Sequence, residues 1–437
     1  MRGEAAAIVE RTLTTLAPAD RLLAPAAARF DSRDARLLAE LVYGSLRWLR
    51  RLDHVVTLAA SRPIDAIDPA LLAVLRIAVL QLVVLDRVPA HAAVSEAVDE
   101  ARRRRGAGAA GFVNAVLRRV ARSPRWEDWP VELADPAARL AVESSHPDIL
   151  VERWWHRFGE QRTRAVVAAD NGPRPLHLLA FAARGGREVL ARTLAGEGIE
   201  TRASVVAPTG LIVGSGDALA TRAFARGDFY VQDEASQAAA QVPPPTPGER
   251  VLDPAAAPGG KGLALVAREP GVRVLFADRS LGRIVRLVGN LERLGLDFPT
   301  AVADAASPPW RGVFERVVLD APCTGTGTLR RHPELRWRFR LTELERLAAE
   351  SRRMLSALAA CVTPGGRLQL VTCSIEREEN EAVVEAFLDG HPDFERYPID
   401  PGSSPPADVG SAARGEWRLL PGAGHDGFSV HVLLRRR

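Results

Sequence analysis

The sequence predicts a chain of three parts. Residues 1–140 read as an all-helical bundle with its connector, 141–235 as a small α+β section, and 236–437 as an α/β section on a parallel sheet wound with helices on both faces. Three observations carry this. The front repeats apolar residues at helical spacing, the rear alternates strand-like and helical patterns from Glu249 onward, and proline-rich stretches near 123–145 and 242–248 separate the parts.

In the front part, Leu38, Leu41, Val42, Leu46 and Leu49 fall on one helical face. Asp68-Pro69 is a helix start, with Asp as N-cap and Pro at the first helical position. The following run is apolar almost all round, which predicts the centre of the bundle. Another start lies at Pro89-Ala90-His91, residues 111–122 read as a last amphipathic helix, and Arg102 to Arg105 before Gly106 read as a basic helix end and loop. Residues 123–145, with Pro124, Pro130 and Pro136, read as a connector. In the middle part, 176–180 and 210–213 are strand-like and 187–194 helical. In the rear, the strand candidates are 250–252, 272–277, 300–303, 316–319, 367–372 and 428–434.

Composition narrows the class. The 437 residues are 47% hydrophobic, an ordinary globular proportion. No stretch reads as a signal peptide. The most apolar run, 70–85, is too short for a bilayer and holds Arg76 and Gln81, so no membrane partner is expected. Three cysteines, none in a CxxC pair, fit a reducing cytoplasm and argue against a disulfide framework or a zinc site, so no metal is expected. Residues 1–125 hold 20 Arg against 13 Asp and Glu, a balance of +7, so with +4 for the whole chain the remainder carries −3. A basic front fits an acidic partner such as nucleic acid, or a solvated surface. Among 58 basic residues there is one lysine, Lys261, which suggests a position where a compact ammonium is needed.

The chemistry gathers at the strand ends of the rear part. The first strand ends in Asp253, followed by Pro254, Ala255, Ala256, Ala257, Pro258, Gly259, Gly260 and Lys261, which open into a helix. Small residues there let backbone approach a ligand closely. The second strand ends in Asp278, an acid placed to grip a ribose diol, and the third in Asp304. Loop and carboxylates together point to a nucleoside cofactor. The spacing is neither a Walker motif nor a full GxGxxG, so ATP and NAD are not expected. The fourth strand ends in Asp320-Ala-Pro-Cys323 and the fifth in Thr372-Cys373-Ser374, whereas Cys361 reads as core. Cytosine carbon 5 is a poor nucleophile until a thiolate adds to carbon 6, and a second group must then remove the carbon 5 proton. Two cysteines at adjacent strand ends suit that division of labour.

These residues resemble the motif set of RNA 5-methylcytosine methyltransferases. The front is similar to NusB-type RNA-binding domains through the segments 41–47, 86–92 and 111–118. Together they resemble the bacterial RsmB (Sun, Fmu) group, which methylates 16S ribosomal RNA. The resemblance implies a NusB-like helical domain, a small RNA-recognition domain and a Rossmann-like methyltransferase domain. It implies S-adenosyl-L-methionine as cofactor, ribosomal RNA as partner, and a monomer. It assigns the nucleophile to Cys373 and product release to Cys323. Residues 255–261, Asp278, Asp304 and Asp320 would contact the cofactor or the target base, with Asp320 at the base's polar edge and Lys261 beside the reacting centre. The group usually carries Cys where this chain has Ala255, Thr at Gly262, and often Asn at Ser95. His91 and Asn114 are read as local hydrogen-bonding residues, and Trp154 and Trp155 as core. The alternatives are the same chemistry on transfer RNA, a non-catalytic RNA-binding or antitermination factor, and a DNA cytosine methyltransferase.

Overall fold

The structure is a computed structural model that describes residues 1–85, 88–408, 410 and 412–437. Asp86 and Arg87, which begin the 86–92 motif, lie outside the described residues. The chain forms two compact units, one of Met1–Asn171 with Leu329–Arg338, the other of Gly172–Thr328 with Phe339–Arg437.

The first unit is helical: Arg2–Thr15, Ala19–Ala27, Ser32–Arg47, Leu49–Ala60, Pro69–Val83, Ala90–Arg122, Pro136–Glu143 and Asp148–Asn171. The central helix is Pro69–Val83, started by Asp68, whose carboxylate accepts from the Ala70 N–H at 2.8 Å. Eleven of its 15 residues are buried, and it packs against four other helices of the bundle. Leu38, Leu41, Val42 and Leu46 are fully buried on the facing side. The basic helix end read at Arg102–Arg105 is present, but the loop after it shrinks to one residue: Gly106, at φ 84°, breaks the long helix. The connector is not structureless either. Asp135 accepts from the N–H groups of Ala137 and Ala138 and starts the helix Pro136–Glu143, by the same Asp-Pro device as at 68–69. The helix Asp148–Asn171 follows, broken at Gly159, with Trp154 fully buried and Trp155 half-buried.

The second unit carries two sheets. The strands are β1 (His177–Ala180), β2 (Glu200–Ala203), β3 (Gly210–Ser215), β4 (Phe229–Val231), β5 (Arg250–Asp253), β6 (Arg273–Asp278), β7 (Thr300–Val302), β8 (Phe314–Asp320), β9 (Val362–Thr372), β10 (Phe394–Arg396), β11 (Glu416–Leu419) and β12 (Phe428–Arg435). The smaller sheet is antiparallel in the order β2-β3-β1-β4, with helix Gly186–Ala195 against it. The larger has eight strands in the order β10-β12-β9-β8-β5-β6-β7, with β11 beside β12. From β9 to β7 all neighbours are parallel. β12 joins β9 antiparallel, as do β10 and β11 to β12, so the sheet is mixed rather than purely parallel. Its inner strands are apolar on both faces: Leu252, Val317, Val318, Leu319, Leu368 and Leu370 are all fully buried. Cys361 is also fully buried, in the turn after helix Leu341–Ala359, and donates to the Trp310 carbonyl at 3.3 Å.

Candidate active site

Chain order reverses across the large sheet between β5 and β8, which makes the carboxyl edge there the place for a ligand. A cavity of about 530 Å³ opens at that point, within the usual size of a small-molecule site. Ala255 and Ala257 line it after β5, Asp278 at the end of β6, Asp304 beyond β7, Asp320 at the end of β8 with Cys323 after it, and Cys373 after β9. Arg279, Arg283 and, from helix Leu341–Ala359, Glu350, Arg353 and Met354 complete the wall; pattern reading singled out none of them.

The other loop residues stand behind the wall and shape it. Ala256 donates its N–H to the Ala277 carbonyl at 2.8 Å, tying the loop to β6. The Pro258 carbonyl accepts from the Asn290 amide at 2.9 Å. Gly259 sits at φ 119°, where a Cβ would lie 2.8 Å from Leu287, so only glycine fits. Gly260 begins the helix Gly260–Arg268, and its carbonyl accepts from Gln232 at 2.9 Å.

The wall suits a nucleoside. Asp278 is 1% exposed; one carboxylate oxygen accepts from the Ser280 N–H at 2.9 Å. The other, Oδ2, accepts no hydrogen bond among the described residues and has the Arg283 guanidinium 3.4 Å away. A buried acceptor left open toward a cavity is what a ribose hydroxyl would satisfy. Asp304 is exposed and accepts from the Ala306 N–H at 2.9 Å.

Lys261, 6% exposed, holds three partners at once. Its ammonium donates to Asp320 Oδ2 at 3.0 Å and to the Ser236 hydroxyl at 3.0 Å, and lies 4.8 Å from the centre of the Phe428 ring. Ser236 and Phe428 went unnoticed in the sequence because they are brought to Lys261 only by the fold. Beneath them Asp253 is fully enclosed and accepts from the Gly262 N–H at 3.0 Å. Burial, then repulsion from Asp320, pushes its carboxyl up to about 7.

The two sulfurs, Cys323 Sγ and Cys373 Sγ, are 3.4 Å apart. Hydrogen bonding to Cys373, burial, and the charges of Glu379 and Asp320 raise the Cys323 thiol above the ordinary thiol range. The loop between them is pinned. Thr324 donates its N–H (2.7 Å) and hydroxyl (2.6 Å) to the two oxygens of Glu379. The Thr326 and Ser374 hydroxyls are 3.2 Å apart, and the Gly327 N–H donates to the Cys373 carbonyl at 2.9 Å. A Cβ on Gly327 would meet the Gly427 carbonyl oxygen at 2.3 Å, so this close approach needs glycine.

Comparison with known proteins places this geometry. A family model described as 16S rRNA methyltransferase RsmB/F matches residues 240–434, a NusB family model matches 2–122, and a ferredoxin-like domain model of RsmF/B-like methyltransferases matches 146–218. Ribosomal RNA small subunit methyltransferase B of Pseudomonas syringae pv. tomato is 35% identical over 414 residues, covering 93% of this chain and 90% of the relative. The chain belongs to the RsmB family of 16S rRNA methyltransferases. The Klebsiella pneumoniae subsp. pneumoniae member is 31% identical and covers the whole chain and 98% of its own length. The crystal structure of PH0851 aligns with a TM-score of 0.79 at 28% identity, over 99% of this chain and 98% of that one. NSun6 from Pyrococcus horikoshii, at 20% identity and a TM-score of 0.57, shares the fold over 65% of this chain and 97% of its own. The resemblance read from the motifs and the fold class it implied are borne out: a NusB-like helical region, a small middle domain and a methyltransferase sheet of the RsmB family. Among the described residues no helix is long and apolar enough to cross a membrane, and no group of three or more His, Cys, Asp or Glu is arranged to hold a metal.

Proposed function

We infer that this family member transfers a methyl group from S-adenosylmethionine to carbon 5 of a cytosine in small-subunit ribosomal RNA, in the cytoplasm. Cys373 is the nucleophile and Cys323 serves product release. The observation that carries the reading is the pair of sulfurs 3.4 Å apart in the wall of the cavity. Bound S-adenosylmethionine would supply an electrophilic methyl group; Asp278 Oδ2 would accept from its ribose, and Ala255 and Ala257 would line its site.

The protein's own steps follow from electrostatics. Two thiols in contact do not both ionise readily, since the first thiolate is held by the proton of the second. The carboxylates of Glu379 and Asp320 disfavour a further negative charge on Cys323, so the shared proton stays there and Cys373, the nucleophile that the family resemblance implies, attacks. Its sulfur adds to carbon 6 and the electron pair moves to carbon 5, which takes the methyl group. Asp320, steadied by Lys261, faces the cavity and hydrogen-bonds the polar edge of the base. Once Cys373 is bonded to carbon 6 its charge is gone, and with it the thiolate acceptor that held the Cys323 proton. Cys323 then loses its proton to solvent, takes the proton from carbon 5, and the carbon 6–sulfur bond breaks to release Cys373. The base thus becomes available only after the nucleophile is engaged.

The test separates the cysteines. Cys323→Ala should attack and methylate, then stall, and accumulate as a covalent protein–RNA band on a denaturing gel. Cys373→Ala should form no adduct and transfer no methyl group. The reverse pattern exchanges the roles, and no adduct in either variant beside an active wild type would overturn the covalent reading.

A further inference from the structure

The basic excess of the front is local. Residues 101–125 hold eight Arg and no Asp or Glu, so the other 100 residues of the front are nearly balanced. These arginines fall on two sides of the break at Gly106, and the structure treats the two groups differently.

The conspicuous run before the break is already neutralised. Arg102 pairs with Asp99 at 3.3 Å, Arg103 with Glu100 at 2.5 Å, Arg104 with Glu100 at 2.6 Å and Glu10 at 3.0 Å, and Arg105 with Asp68 at 2.7 Å. After the break the picture inverts. Arg118, Arg119 and Arg122 are exposed, and among the described residues none of them makes an ion pair. Arg119 spends its donors on the Ala59 carbonyl at 3.3 Å and the Ser61 hydroxyl at 3.2 Å; Arg118 and Arg122, one turn apart, have no partner among the described residues. The surface leading up to them is low: Gly108 and Gly111 face open space, and Ala115 is exposed. Beside Arg118 runs a groove of about 540 Å³ whose polar lining is His91, Ser95, Asp99, Arg102, Asn114 and Arg118, over Val94 and Val98.

We propose that this face, Arg118 and Arg122 with the groove beside them, is where the helical unit holds an RNA strand. The two arginines take consecutive backbone phosphates, and the groove takes the sugar and an unstacked base. Uncompensated cations on a low surface beside a polar groove fit a polyanion. An acidic protein is the competing partner and an outcome of the test. The proposal rests on the reading that the chain acts on RNA. It centres the interface on the arginines whose charge is free rather than on Arg102–Arg105, where the sequence is most basic.

The experiment uses the full-length chain and a labelled 20-nucleotide single-stranded RNA, with binding followed by fluorescence anisotropy from 0.05 to 0.3 M salt. Each phosphate contact to a single strand contributes about 0.7 to the salt slope, or about fivefold in affinity at 0.1 M. The double variant Arg118→Gln/Arg122→Gln should therefore bind about 25-fold more weakly at 0.1 M, with a slope shallower by about 1.4. The control, Arg103→Gln/Arg105→Gln, should stay within about threefold of wild type, because it removes charges already paired. Circular dichroism checks that both fold. An unchanged isotherm for the first pair, or equal losses in both pairs, overturns the proposal. A wild type without salt-dependent affinity for the RNA sinks the RNA reading itself, which is a separate result.

Discussion

Glu379 holds the loop of Cys323 without lining the cavity. It is fully buried, and both its oxygens are engaged by Thr324, the residue after Cys323. Burial pushes its carboxyl up to about 7, opposed by hydrogen bonds from Ser374 and Thr324 and aided by the charge of Glu376. Removing the side chain leaves the half-buried Thr324 N–H and hydroxyl without this acceptor, a loss of about 1–3 kcal/mol. Glu379→Ala should lower the melting temperature and, by loosening Cys323, lead to accumulation of the same covalent species as Cys323→Ala. Glu379→Gln keeps one acceptor for the N–H and one donor for the hydroxyl, so it should release product almost normally. Equal adduct levels in the two variants would refute this positioning role. The raised carboxyl has a second consequence. Unfolded, a glutamic acid titrates near ~4.3. Between there and about 7 the folded chain holds more protons at this site, so its contribution to stability is full below the lower value and is lost as pH rises through 7. Asp253, also raised to about 7, acts in the same direction. Glu379→Gln does not titrate, so wild type should lose melting temperature relative to it between pH 4.5 and pH 7.5.

One element departs from what the resemblance implies, and the structure gives a reason. Gly262 lies in the helix Gly260–Arg268, where the family resemblance leads one to expect Thr. A Cβ there would sit 2.2 Å from the ring of Phe276 on β6. Phe276 is fully buried and meets Phe298 edge-on at 5.8 Å, so the ring has nowhere to go. Gly262 and Phe276 are therefore one fitted pair. Gly262→Ala, which an isolated helix would favour by up to ~1 kcal/mol, should instead destabilise by about 1–3 kcal/mol. Adding Phe276→Leu should recover part of that loss, by urea titration of the single and double variants. The Gly262 N–H also bonds Asp253, so the shift should weaken cofactor binding too. Apolar runs made the inner strands and the central helix legible in the sequence, since burial on both faces leaves a strong pattern. The short edge strands β2, β4, β10 and β11 left none; β2, for example, is mostly exposed. Helix Pro136–Glu143 was hidden among prolines although Asp135-Pro136 announces it. Strand-end carboxylates and cysteines were visible because each sits beside a local motif. Ser236, Phe428 and Glu379 were not, since their meaning depends on contacts between distant segments.

At the scale of the whole molecule, the chain leaves the methyltransferase unit at Thr328 and spends ten residues, Leu329–Arg338, inside the helical unit before returning at Phe339. This arm is anchored by buried polar contacts. Arg330 donates to the Ala169 carbonyl at 2.8 Å and Trp337 to the Leu46 carbonyl at 2.6 Å. Arg336, with no exposed surface, donates to the carbonyls of Arg47 at 3.1 Å and Ser145 at 2.9 Å and to the Asn171 amide oxygen at 3.1 Å. Burial lowers its guanidinium to about 10, still charged at neutral pH. The Cys323 loop that precedes the arm has its own fastenings in the other unit, at Glu379, Ser374 and Cys373. Two separate sets of bonds imply two separable failures. Arg336→Ala strips these acceptors, and the Asp170 carbonyl at 3.5 Å, of their donor, at a cost of about 2–4 kcal/mol, and should lower the melting temperature of the helical unit by about 5–10 °C. Cofactor affinity, measured by calorimetry below that transition, should remain within about twofold of wild type. Deleting residues 1–125 removes Leu46 and Arg47 and bares the arm, so the truncated protein should be far more prone to aggregate yet still bind S-adenosylmethionine. Loss of cofactor binding in Arg336→Ala, with the helical unit still folded, would mean that the arm holds the cavity as well as the bundle.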